Sequence, residues 1–93
     1  MNTLNYTEYN KIIKEVLVLS KIKNAAYGCS NLMLWEGKGI IVRMNDKISR
    51  LNNIIFNDSL EEDELIEDTL KDLINYAVYF IMLKRHKLTE VIK

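Results

Sequence analysis

Three cationic side chains recur at helical spacing in the middle of the chain, and their chemistry suits phosphate binding. Arg43, Lys47 and Arg50 follow an i, i+4, i+7 pattern, and Lys38 lies just before them. Guanidinium groups bind phosphate oxygens bidentately, and a lysine adds a compact positive charge. The pattern therefore predicts a phosphate-binding cleft built on this segment. Pairing of the same cations with nearby carboxylates is the alternative, and both can hold at once.

A set of carboxylates follows the basic segment. Glu64, Asp68 and Asp72 recur at every fourth residue, which places all three on one face of a helix. Oxygen ligands in this arrangement can hold Mg²⁺ with several of its waters retained. A solvated acidic face, or ion pairs to the basic residues, is the simpler interpretation. Mg²⁺ is thus an optional ion here, and no cofactor is required.

Glycine and aromatic residues precede the basic segment. Trp35 leads into Gly37-Lys38-Gly39 at a predicted helix start, where free N–H groups attract anions. Trp35 or Tyr27 offers a flat ring on which a nucleobase can stack. An ordinary glycine-bearing turn anchored by the tryptophan is the alternative. The glycines do not have the Walker spacing of a P-loop.

Two helices and a connecting loop are predicted to position these residues. Apolar residues at i, i+3, i+4 and i+7 spacing predict a first helix at about 7–23 and a second at about 38–56. Residues 24–39 contain all three glycines and break the pattern. This stretch is predicted to be mostly loop, with one turn near 32–35.

A third helix is predicted after the second. Ser59 and Glu62 form a capping-box pattern, and apolar residues continue from there to about His86. The short connection favours antiparallel packing of the second and third helices. The predicted fold class is all-α: a three-helix bundle-like core with a long C-terminal helix, forming a single domain over residues 1–93.

The second half of the third helix predicts a partner subunit. Between Ile74 and Met82 the helix carries almost no polar face, and such a helix must be covered on all sides. Cys29 is the single cysteine and His86 the single histidine, so neither an intramolecular disulfide nor a zinc site of the usual kind can staple the domain. A homo-oligomer is therefore expected.

Composition and charge exclude several classes of function. The 13 basic and 13 acidic residues cancel, so non-specific DNA binding is not expected. No leader-like segment begins the chain, and no apolar run approaches the roughly 20 residues that span a bilayer. The chain is therefore expected to be a cytoplasmic protein, in the host cytoplasm if it is phage-encoded, with no membrane contact.

Residues 27–83 resemble a phage and bacterial family, nucleotide modification associated domain type 1. The resemblance is carried by the motifs Tyr27-Gly28, then Arg43-x-x-Asp46-Lys47-x-x-Arg50-Leu51, then Glu64-x-x-x-Asp68-Thr69-x-x-Asp72-x-x-x-Tyr76-Ala77. It implies a helical protein linked to modified or unusual nucleotides. It does not imply a defined reaction.

The leading hypothesis is a non-enzymatic nucleotide-binding protein that sequesters a cyclic or modified nucleotide, for example a host-defence signal in phage counter-defence. One alternative is a MazG-like Mg²⁺-dependent NTP pyrophosphohydrolase that uses Glu64, Asp68 and Asp72. The first half of that metal motif is missing, because Glu8 and Glu15 do not form a cluster. The other alternative is an inhibitor module that docks on a host protein.

Overall fold

The computed structural model describes residues 3–28, 30–56 and 63–85 of the chain, with the side chains at positions 30, 31, 34, 63 and 64 excepted. The secondary-structure elements in these ranges are all helices, with no strand among the described residues. The prediction of an all-α fold is therefore confirmed.

Helix α1 spans Tyr6–Tyr27 and is capped at both ends. The Asn5 side chain accepts a hydrogen bond of 3.1 Å from the Glu8 N–H, which satisfies one of the free donors of the first turn. At the other end Gly28 has a φ of 71°, and its N–H donates to the Asn24 carbonyl at 2.8 Å. The helix thus runs past residue 23, where the sequence pattern predicted its end.

A 3₁₀ segment, Ser30–Gly37, follows α1 and corrects the prediction that residues 24–39 are mostly loop. Its last residues adopt left-handed backbone, with φ values of 52° at Trp35, 59° at Glu36 and 86° at Gly37. The chain then enters helix α2 directly at Lys38–Phe56. The predicted bounds of the second helix are confirmed.

Helix α3 spans Asp63–Lys84 and is the central element of the described fold. It packs against α1, α2 and the 3₁₀ segment, whereas α1 and α2 do not pack on each other. Its 22 residues equal the length of α1, so its described part is no longer than the first helix. The capping box of Ser59 and Glu62 and the predicted end near His86 lie outside the described residues. None of the described helices is long and apolar enough to span a membrane.

The core is small and includes polar side chains. Among the described residues, four large hydrophobic side chains are buried: Val16, Ile40, Leu51 and Ile54. Two polar residues of α3 are buried with them. Thr69 donates to the Leu65 carbonyl at 2.8 Å, and Asn75 donates from Nδ2 to the Val16 carbonyl at 3.1 Å. The Asn75 bond ties α3 to the main chain of α1 and satisfies a polar group that would be costly to bury alone.

Candidate functional site

The basic residues of α2 line one cleft together. Arg43, Lys47 and Arg50 surround a cavity of about 250 Å³ with Asp46 of the same helix and Tyr76 of α3. Their i, i+4, i+7 spacing puts the three cations on one face of α2, and the packing of α2 against α3 places Tyr76 at the opposite wall. The structure therefore brings these three cations together at one concave surface.

The cleft keeps positive charge that no carboxylate neutralises. Lys47 forms an ion pair with Asp72 at 3.1 Å. Arg43 and Arg50 are exposed and form no ion pair with any carboxylate in the described part of the chain. Asp46 is the single carboxylate among the lining residues. Two guanidinium groups are thus available to an anion that enters the cleft.

Asp72 links all three helices at the edge of this cleft. Its Oδ1 lies 2.6 Å from Nζ of Lys23 on α1, and its Oδ2 lies 3.1 Å from Nζ of Lys47 on α2. Burial alone would lower the pKa of Lys23, but the hydrogen bond and negative charge of Asp72 outweigh it and raise that pKa above the usual lysine value. Asp72 is therefore engaged with two cations, and its side chain is only 15% exposed.

A second cavity adjoins the cleft. It has a volume of about 370 Å³ and lies where the end of α1 meets α2 and α3; its lining comprises Lys23, Asn24, Tyr27, Gly28, Leu32, Arg43, Tyr76 and Tyr79. Arg43 and Tyr76 line both cavities. The two spaces therefore lie side by side and share these two side chains as part of their walls.

The remaining predicted ligand residues are dispersed. Lys38 and Trp35 are exposed, and neither lines the cleft or the adjoining cavity. Gly37 is buried, and a Cβ at this position would overlap Leu83 of α3. The glycine next to Lys38 therefore serves helix packing at a left-handed turn and leaves no room there for a ligand to approach.

The predicted acidic stripe is divided in the structure. Asp72 pairs with Lys23 and Lys47, whereas Asp68 lines a separate cavity between α1 and α3. The side chain of Glu64 lies outside the described residues. Among the side chains that the structure describes, no three His, Cys, Asp or Glu groups gather in a way that could hold a metal ion. A Mg²⁺ site on this stripe stays a prediction.

Several lining residues were not singled out from the sequence. In the sequence, Tyr79, Lys23 and Asn24 belong to none of the motifs or charged stripes that indicate a site. Tyr76 stands four residues after Asp72 in the quoted motif, and that spacing was the one available signal for it. Lys23 and Asn24 lie on another helix, and no spacing within one helix could have indicated them.

Comparisons of the chain with protein-family models, curated proteins and solved structures find no match. The resemblance to the nucleotide modification associated family therefore stays a prediction that rests on the motif residues alone.

Proposed function

We propose that this chain binds a nucleotide without turning it over, and that the cleft on α2 holds the phosphate groups. One observation carries the proposal: Arg43 and Arg50 flank Lys47 in a concave site and have no carboxylate partner in the described part of the chain. Unpaired guanidinium groups in a cleft favour an anion with several oxygens, because each can donate two parallel hydrogen bonds. Phosphate meets this requirement.

The walls of the site favour a nucleotide over free phosphate. Tyr76 lines the cleft beside the arginines and also the adjoining cavity. An aromatic ring next to a phosphate-binding group matches a ligand that joins a flat base to a phosphate. The ligand class includes cyclic and modified nucleotides. Sequestration of such a nucleotide as a host-defence signal is the biological role we propose.

Isothermal titration calorimetry against mono-, di- and cyclic nucleotides tests the binding. Each of Arg43→Gln and Arg50→Gln is expected to weaken binding by about tenfold or more, because a hydrogen bond to a charged group contributes roughly 1.5–3 kcal/mol. Arg85→Gln is the matched control, since Arg85 is exposed and lines neither cavity. Absence of heat with every nucleotide, or equal affinities in all three variants, would overturn the proposal.

We also propose that the chain forms a homo-oligomer through α1. In this helix the single buried hydrophobic residue is Val16. Eight large apolar side chains of α1 are exposed: Tyr6, Tyr9, Ile12, Ile13, Leu17, Val18, Ile22 and Tyr27. Tyr6, Tyr9, Ile13 and Leu17 lie at i, i+3, i+7 and i+11 and share one face of the helix. An exposed apolar face of this length marks an interaction site.

A second copy of the chain is the occupant that best fits this surface. An apolar groove of about 430 Å³ lies between α1 and α3, with Ile13, Leu17 and Val78 among its lining. Ile13 and Leu17 also project as exposed side chains. The groove and the exposed apolar face of α1 lie side by side, so a two-fold axis can bring this surface against the same surface of a second copy. A second copy would also cover part of the apolar half of α3, where Val78 and Ile81 are exposed.

A further inference from the structure

The cavity beside the phosphate cleft combines aromatic and amide groups. Tyr27, Tyr76 and Tyr79 line it from two different helices, and Asn24 adds a primary amide. Its volume of about 370 Å³ falls within the roughly 300–1,000 Å³ of small-molecule sites. The cavity therefore differs in chemistry from the cleft, which three cations and one carboxylate line.

The aromatic wall on α3 is held in place before any ligand binds. The Tyr79 hydroxyl lies 2.5 Å from the Ser20 hydroxyl of α1 in a hydrogen bond. The rings of Tyr76 and Tyr79 lie 6.3 Å apart at 79°, in the edge-to-face geometry that aromatic pairs favour. Tyr76 thus packs against a tyrosine that is itself fixed by a hydrogen bond to α1. Tyr27, the last residue of α1, is 78% exposed and offers a second ring on the solvent side.

Asn24 can recognise the edge of a base. Its main-chain carbonyl accepts from the Gly28 N–H, but its side-chain amide forms no hydrogen bond within the described part of the chain. A free primary amide presents an N–H donor and a carbonyl acceptor side by side. Adenine presents the matching pair at N6 and N7, and asparagine binds that pair bidentately.

We infer that this cavity is the base subsite for the nucleotide whose phosphates occupy the cleft, and that Asn24 selects adenine there. The inference rests on the proposed function. Arg43 and Tyr76 line both spaces, so the base stacks between Tyr27 and the tyrosines of α3 while its phosphate extends past Arg43 to Arg50. Lys23 lies in the lining but is engaged with Asp72 at 2.6 Å, so it positions the carboxylate and does not hold phosphate.

Calorimetry with three probes separates this inference from the proposed function. The probes are adenosine 5′-monophosphate, guanosine 5′-monophosphate and ribose 5-phosphate, the last of which carries the phosphate without a base. The base subsite predicts that the adenine nucleotide binds more tightly than the guanine nucleotide, and both more tightly than ribose 5-phosphate. Equal binding of all three probes would overturn the base subsite and leave the phosphate cleft standing. No binding of any probe would overturn both.

Matched variants locate the base contacts. Tyr27→Ala is expected to weaken adenosine monophosphate binding by about fivefold or more, since stacking on an aromatic ring contributes roughly 1–3 kcal/mol per base. Its affinity for ribose 5-phosphate is expected to stay unchanged, and Tyr27→Phe is expected to retain full binding. Phe56→Ala is the control, because Phe56 of α2 is an aromatic residue with the same 78% exposure as Tyr27 and lines neither the cleft nor this cavity.

The ratio of adenine to guanine affinity tests whether Asn24 selects the base. Asn24→Ala is expected to reduce the ratio of adenine to guanine affinity towards one, with little change for ribose 5-phosphate. Circular dichroism establishes that the variant remains helical. An unchanged affinity ratio in a folded Asn24→Ala protein would remove Asn24 from base selection.

Discussion

At the scale of single residues, Asp72 is the side chain that couples the candidate site to the fold. It accepts from Lys23 and Lys47 at once, so one of the three cations of the cleft is partly neutralised while the site is empty. An anion in the cleft competes with Asp72 for Lys47. We therefore expect the carboxylate to stabilise the arrangement of the helices and to oppose ligand binding in the proposed site.

Replacement of this carboxylate separates the two effects. Asp72→Asn is expected to tighten nucleotide binding by about three- to tenfold, because a negative charge a few ångströms from the phosphate is removed. Glu67→Gln is the control: Glu67 is a carboxylate of α3 that pairs with Lys71, away from the cleft. Calorimetry measures both. Weaker binding in Asp72→Asn would mean instead that Asp72 holds Lys47 in its binding position.

The same variant has a pH signature. Asp72 raises the pKa of Lys23 against the effect of burial, so Asp72→Asn is expected to lower that pKa, which NMR of the lysine side chain measures. The pKa of Lys23 in the folded state lies above its unfolded value of about 10.4. Below that pH, the interaction of Lys23 with Asp72 therefore contributes fully to stability. This contribution is lost as the pH rises through the folded pKa. The stability difference between wild type and Asp72→Asn should therefore shrink in alkaline solution.

At the scale of elements, the 3₁₀ segment and its left-handed end set how α2 meets α3. Gly37 has a φ of 86°, and a Cβ there would overlap the Leu83 side chain and lie 3.5 Å from Phe80. The segment can turn into α2 against α3 because this position has no side chain. A substitution at Gly37 should thus disturb the helix that carries the basic residues.

Gly37→Ala is expected to lower the free energy of unfolding by about 1–3 kcal/mol more than Gly28→Ala, which is the matched control. Both glycines have positive φ, so both variants introduce backbone strain, but a Cβ at Gly28 would meet no atom within 4 Å. Urea denaturation measures the difference. Equal losses of stability in the two variants would show that backbone strain, and not overlap with Leu83, causes the loss. The added variant Leu83→Ala should relieve part of the Gly37→Ala penalty in a double-mutant cycle.

The elements differ in how far the sequence predicts them. Helix α2 was predicted with its observed bounds because its apolar stripe follows the 3.6-residue period. The 3₁₀ segment Ser30–Gly37 lacks such a period, since three residues per turn leave no comparable stripe in eight residues. The end of α1 was placed too early because Asn24 broke the apolar pattern. The helix continues to Gly28, whose φ of 71° and ψ of −171° are accessible to glycine and hardly to other residues.

At the scale of the whole molecule, the candidate site combines residues that the sequence could predict with residues that it could not. Arg43, Lys47 and Arg50 share a helix face, so local spacing was sufficient to group them. Asn24 and Tyr79 reach the site through the packing of α1 and α2 on α3. Contacts between helices leave no periodic signal in a single sequence, so the sequence indicated Tyr27 in the adjoining cavity but not Asn24 or Tyr79.

Assembly is the other property of the whole molecule, and it carries the last prediction. Four hydrophobic residues are buried among those described, whereas α1 alone exposes eight large ones. A small domain with so limited a core gains stability from a partner, and a standard interface buries about 800 Å² on each side. We therefore expect the chain to be at least dimeric in solution and its stability to rise with protein concentration.

Two isoleucines of similar exposure test which face is used. Ile13 on α1 is 44% exposed and Ile41 on α2 is 47% exposed, but Ile13 lines the apolar groove and Ile41 does not. Ile13→Glu places a charge in the proposed interface and should yield monomers in light scattering coupled to size-exclusion chromatography, whereas Ile41→Glu should not. Circular dichroism separates loss of assembly from loss of folding. A monomeric wild type would show that α1 is not an interface. Dissociation by Ile41→Glu alone would show the same, because a new charge disrupts assembly only where a second copy buries it.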